Sequence, residues 1–264
     1  MRALILGMLL SLIGLPAQAQ TLWSRPYEPN QLTVEAIVPD AATEGDFPSG
    51  ATFITGTASL SDNVELTAEL PYARYQPSVD GAGTTSALGN PFVGLGLSST
   101  TVPFLFELGA RIPAAPSNRA ARIGSTADVG RTPAFGPDEF SLSSLVNGRL
   151  EISRYSTARF RSGFEFSSRP SPSGPDRIQT WRLRYDVQLW REGDRFLTGF
   201  TFTGRTPLSR AGTSRHHASL SVMANWNVVQ PGILAGASLN DLFRDGTWVP
   251  FVGVTMSVSY GRLL

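Results

Sequence analysis

Few residues in this chain have the types and spacing that chemistry would need. His217 and Ser219 lie two positions apart, so a strand would place them on one face as a base and a hydroxyl nucleophile. Neighbouring His216 would then point the opposite way, and no third group stands at a spacing that would orient the pair. Asp40, Glu44 and Asp46 offer oxygen ligands, but too loosely spaced for calcium, so no metal is expected. Gly81-Ala82-Gly83 and Gly94-Leu95-Gly96 precede no helix and so are not phosphate cradles. There is no cysteine, and all 22 basic residues are Arg, which excludes thiolate sites, disulfides, Schiff bases and a phosphate-loop lysine. No cofactor is expected, and no enzyme.

The remaining chemistry is electrostatic. Between residues 28 and 80 stand Glu28, Glu35, Asp40, Glu44, Asp46, Asp62, Glu65, Glu69 and Asp80 against Arg74 alone. Residues 149–215 reverse the balance, with thirteen Arg against six acids. The net charge is nevertheless only +1, which gives no basis for nucleic-acid binding. With 41% hydrophobic and 16% charged residues, the chain has enough apolar material to fold.

The elements that must position these charges alternate with period two. From Trp248 to Tyr260 one parity reads Trp248, Pro250, Val252, Val254, Met256, Val258, Tyr260, and the other turns small and polar in its second half. Twelve steps of ~3.3 Å, tilted by ~40°, span roughly 30 Å, close to a bilayer's thickness and longer than ordinary soluble strands. The same alternation marks 63–72, 104–112, 181–189 and 216–228. It is weaker at 31–39, 50–60, 89–98, 142–153, 158–166, 195–204 and 233–240, with 142–153 the most interrupted. These segments predict an all-β fold: a closed, antiparallel, up-and-down transmembrane β-barrel of twelve strands. Short connections alternate with long ones, including 73–88 and 113–141, as expected for periplasmic turns and external loops.

Ahead of the barrel, Met1-Arg2, an uncharged apolar run from Ala3 to Leu15, Pro16, and Ala17-Gln18-Ala19 form a secretory signal pattern. Residues 1–19 are expected to be removed, leaving 20–264 as one barrel domain in the cell outer membrane. On the inward face, Glu65 and Glu69 are expected to oppose Arg182 and Arg184 across the lumen, with Glu107, Arg161 and Asp186 also lining it. Such walls either focus a transverse field in an open pore or interlock as a plug of ion pairs. Tyr72, Trp181, Trp190, Trp226, Trp248 and Tyr260 are expected to be interfacial anchors.

Leu70-Pro71-Tyr72, followed by Gly89-Asn90-Pro91-Phe92-Val93-Gly94-Leu95, resembles the outer-membrane barrels grouped as meta-pathway phenol-degradation or transporter-like proteins. Asn90 stands where members more commonly carry Asp. The resemblance implies a channel or transporter for small, often hydrophobic solutes, with outer-membrane lipid, the barrel-assembly machinery and the solute itself as partners. Leu264 lies on the outward parity with Tyr260, where assembly signals usually end in an aromatic residue. His217-Ala218-Ser219 loosely resembles the His-x-Ser of outer-membrane phospholipases, without the Asn-Gly that follows there. The alternatives to a channel are a filled barrel acting through its surface loops and, less well supported by the residues, a lipid-modifying enzyme.

Overall fold

Period-two alternation gives each strand one apolar and one polar face, and closure of the sheet turns these faces into an outside and an inside. The computed structural model describes residues 30–39, 49–77, 83–98, 104–171, 174–209, 213–226, 228–240 and 248–260. The signal segment 1–19, the acids Asp40, Glu44 and Asp46, and Leu264 lie outside them.

Thirteen strands form one antiparallel sheet: β1 (Gln31–Pro39), β2 (Gly50–Ser61), β3 (Val64–Tyr75), β4 (Thr85–Leu88), β5 (Phe92–Ser98), β6 (Phe104–Arg111), β7 (Phe140–Ser153), β8 (Ser156–Pro170), β9 (Arg177–Glu192), β10 (Phe196–Pro207), β11 (Arg215–Ala224), β12 (Val229–Asn240) and β13 (Trp248–Ser259). Each pairs with its neighbour in sequence except β4 and β5, which both pair with β3, and β1 pairs with both β2 and β13, closing the ring. The number of staves is twelve, because β4 and β5 are two halves of one. β3 pairs with β4 along Tyr72–Tyr75 and with β5 along Val64–Glu69. Gly89-Asn90-Pro91 interrupts that stave. The segment at 142–153, broken in pattern by Ser and Arg, is nonetheless a full strand, paired with β6 and β8.

The outward residues are large and apolar on every side: Leu32, Leu70, Leu95, Phe106, Phe164, Val187, Leu220 and Val254 are all exposed. A continuous apolar belt of this kind suits lipid rather than water. The inward residues are polar and buried, for example Thr33, Glu35, Thr67, Gln188, Thr201 and Ser257.

The expected loop at 113–141 is the main departure. Within it, Asn118 caps helix α1 (Arg119–Ala127) by accepting from Ala121 N at 2.9 Å, and a 3-10 turn follows over Val129–Phe135. The helix buries Ala120, Ala121, Gly124 and Ala127, a small-residue face that fits inside the barrel. It packs with Ala134 and Phe135 against inward residues of the wall, including Ile37, Phe53, Ala73, Tyr75 and Phe251. Gly124 is required there, because a Cβ would meet the Phe135 ring at 2.7 Å. The segment therefore folds into the end of the barrel that carries the long connections.

Tyr72, Trp181, Trp226, Trp248 and Tyr260 are exposed on the outer surface. Trp190 is not, which corrects its assignment as an interfacial anchor. It shares the inward parity of Asp186 and Gln188, and it packs with Leu197 and Met223 inside the short-turn end. Val254→Arg, which sets a charge in the middle of the outward belt, is expected to lower stability in bilayers by about 2–4 kcal/mol, measured by urea unfolding of refolded protein. Val254→Ile should leave it nearly unchanged.

Candidate functional site: a charged lumen closed by an inward segment

The inward segment is held at its root by one side chain. Asn90, fully buried in the break between β4 and β5, donates from Nδ2 to Pro133 O and Gly136 O, both at 2.8 Å. Its Oδ1 accepts from Ala114 N at 2.7 Å and Ala115 N at 2.8 Å, and its backbone N–H donates to Ala134 O at 2.6 Å. Both ends of the segment are thus tied to one residue. The amide is essential because the site needs two donors and an acceptor at once, and a carboxylate can only accept.

At its tip the segment carries Arg131 into a cage of carboxylates. Arg131 Nη1 lies 2.7 Å from Glu35 Oε2 and 3.4 Å from Glu69 Oε2, and Nε lies 2.6 Å from Asp128 Oδ2. The guanidinium carbon sits 3.8 Å above the centroid of the Phe53 ring. Asp128 also accepts from Gly130 N at 2.7 Å, fixing the turn that aims Arg131. Burial works against the charge on Asp128, but Arg131, with His217 and Arg184 nearby, holds its carboxyl well below the usual range.

Beneath the segment is a cavity of about 80 Å³, lined in part by Glu69, Glu107, Asp128, Arg131, Arg161 and Arg184. A liquid water occupies roughly 30 Å³, so the space admits a few waters or a very small solute. Around it the charges pair locally. Glu69 Oε1 binds Arg111 at 2.7 Å, Arg161 binds Glu107, and Arg184 Nε stands 3.3 Å from Asp186. Arg205 binds Glu165, which Arg182 approaches at 3.5 Å while standing 3.9 Å from Glu139.

The expected pairing across the lumen is thereby corrected in detail. Glu69 and Arg184 line one cavity, but Glu69 bonds Arg111 and Arg131 rather than Arg182 or Arg184. Glu65 is buried elsewhere on the same face of β3, opposite Ser59 and Gly96 in register. The reason is reach: strands one and two places apart in the wall are separated by roughly 5 and 10 Å, within the span of an Arg paired with a carboxylate, so charges find these near neighbours before they find the far wall. Arg111, Arg131, Glu35, Asp128 and Arg205 were not singled out as site residues. The first three could have been found by carrying the inward parity of β1 and β6 onward and asking which cation of the 113–141 stretch could meet Glu35.

Among the described residues, His217 and Ser219 do not form a hydrogen-bonded pair. His217 and Ser219 share the inward face of β11, about 7 Å apart along the strand and out of hydrogen-bond reach. His217 packs on Phe251 with centroids 4.2 Å apart, and its Nδ1 has no hydrogen-bond partner among the described residues. His216 points outward, where its Nε2 lies 2.6 Å from the Tyr185 hydroxyl.

No protein-family model and no curated sequence matches the chain. Solved structures do. The NanC porin is similar over 86% of this chain and 98% of its own, at 9% identity and a TM-score of 0.56. An outer membrane channel from Pseudomonas putida F1 is similar over 91% and 98%, at 12% identity and a TM-score of 0.54. LpxR from Salmonella typhimurium is similar over 86% and 99%, at 12% identity and a TM-score of 0.52. At such identities the likeness is one of fold, that of outer-membrane barrels in which porins and channels predominate.

Asn90→Asp removes two buried donors and turns a carboxylate toward two carbonyls. It is expected to destabilise the docked segment by about 2–4 kcal/mol. Limited proteolysis of the refolded barrel should then cut within 112–139 while the strands stay intact.

Proposed function

We propose that the chain is an outer-membrane channel for small solutes, closed in its resting state by residues 112–139 folded into the lumen. The supporting observation is the charged cavity inside the ring, lined on one side by Asp128, Gly130 and Arg131 of the inward segment. Trp190, Leu197 and Met223 pack together inside the short-turn end. The fold shared with porins and channels supports the same reading.

In this reading the signal segment 1–19 directs export, the apolar belt meets outer-membrane lipid after insertion by the assembly machinery, and no catalysis takes place. The charged lining favours a polar or ionic solute over the hydrophobic compounds that the family resemblance implies. The motif behind that resemblance, Gly89 to Leu95, is also the segment that clamps the cover in place. The second reading, a permanently filled barrel, draws on the interlocked ion pairs of the lumen.

Planar-bilayer conductance separates the two. Wild-type protein should show rare, small openings, and Arg131→Gln combined with Asn90→Asp should raise the open fraction several-fold. Folded protein that passes no current in either form, at any salt concentration, would leave the filled barrel as the correct account.

A further inference from the structure

Arg131 occupies a receptor whose parts belong mostly to the wall. Glu35 and Phe53 face each other in the β1–β2 register, which sets a carboxylate beside an aromatic ring on one inward surface. Glu69 reaches the same point from β3, with Thr55 Oγ1 donating to its Oε2 at 3.4 Å and Arg111 holding its Oε1. Of the groups around the guanidinium, only Asp128 travels with the segment. When the segment leaves, two carboxylates and a ring face remain in place, spaced around the volume of one planar cation.

That combination is selective. A guanidinium offers several N–H donors in one plane to carboxylates while its flat face lies on a ring, a geometry that a spherical sodium ion, or a tetramethylammonium ion with no N–H, does not reproduce. We propose that this pocket is the channel's own solute site, that it takes small guanidinium or amidinium cations, and that Arg131 is a built-in copy of the ligand that the solute displaces. The inference rests on the channel reading and gives it a solute class. Displacement couples binding to opening, because a cation seated between Glu35, Glu69 and Phe53 excludes Arg131 and frees the turn that carries it. A ligand shifts such an equilibrium only through its preference for one state, and here the site is available only in the released state.

The chain has no cysteine, so a single introduced thiol reports the segment without background. Ala120 is fully buried in the docked helix. Full-length Ala120→Cys protein, refolded in liposomes, is labelled with a membrane-impermeant maleimide at constant ionic strength. Millimolar methylguanidine should speed labelling about ten-fold relative to sodium or tetramethylammonium, and adding Glu35→Gln should abolish that difference. Ala127→Cys, equally buried, serves if the first variant does not refold. Equal labelling in methylguanidine and sodium overturns the proposal. Conductance recorded on the same samples keeps the two claims apart. Current without a methylguanidine effect defeats the solute class alone, whereas faster labelling without current upholds the site and defeats the channel.

Discussion

Two buried wall carboxylates, Glu35 and Glu69, set the terms for the interior of this barrel. Removing a carboxylate from water is costly enough that it must be met by a cation with well-made contacts. Arg111 meets one oxygen of Glu69 from the adjoining wall, but the cation that reaches both Glu35 and Glu69 comes from the 112–139 segment. Removing one partner of such a buried pair typically destabilises by about 3–5 kcal/mol. The inward segment is therefore part of the electrostatic structure of the wall. Asp128 completes the arrangement by bonding both Arg131 and the backbone of its own turn.

The barrel accommodates the segment by breaking one stave. With β4 and β5 separated at Gly89-Asn90-Pro91, the wall opens enough for one side chain to bind carbonyls and amides from both ends of the cover. Gly89 permits this approach, since a Cβ there would come within 2.9 Å of the Phe135 ring. Phe135 itself stacks edge-on against Phe53, 5.8 Å between centroids, and Phe53 carries the Arg131 guanidinium on its ring. The apolar nest and the ionic cage thus share a residue, which joins the packing of the cover to its charge.

Much of the barrel was legible from the chain because a strand that separates lipid from a polar interior must alternate strictly. Val254 and Thr255 declare their faces without any knowledge of their neighbours, and the inward placement of Glu69, Glu107, Arg161 and Asp186 follows from the same parity. Partner choice does not follow from parity, and so Arg182 was set against the wrong carboxylates. Trp190 shows a different difficulty: residue type suggested an interface where strand parity already pointed inward. The cover was hidden because 113–141, rich in Gly, Pro, Ala and Ser, has the composition of a solvated loop. The signal it did carry was subtle: Asn118 as a cap, followed by Ala120, Ala121, Gly124 and Ala127 at helical spacing, a face too small for an ordinary core but suited to a narrow lumen.

The central claim is that Arg131 holds the cover inside the barrel, and hydrogen exchange resolved by segment tests it most directly. In folded wild-type protein, amides of residues 119–135 should exchange slowly, at rates approaching those of the strands. In Arg131→Gln the same amides should exchange far faster, while β1–β3 and β8–β10 keep their protection. Rapid exchange of 119–135 in the wild type, or protection there that does not change when Arg131 is replaced, would contradict the account.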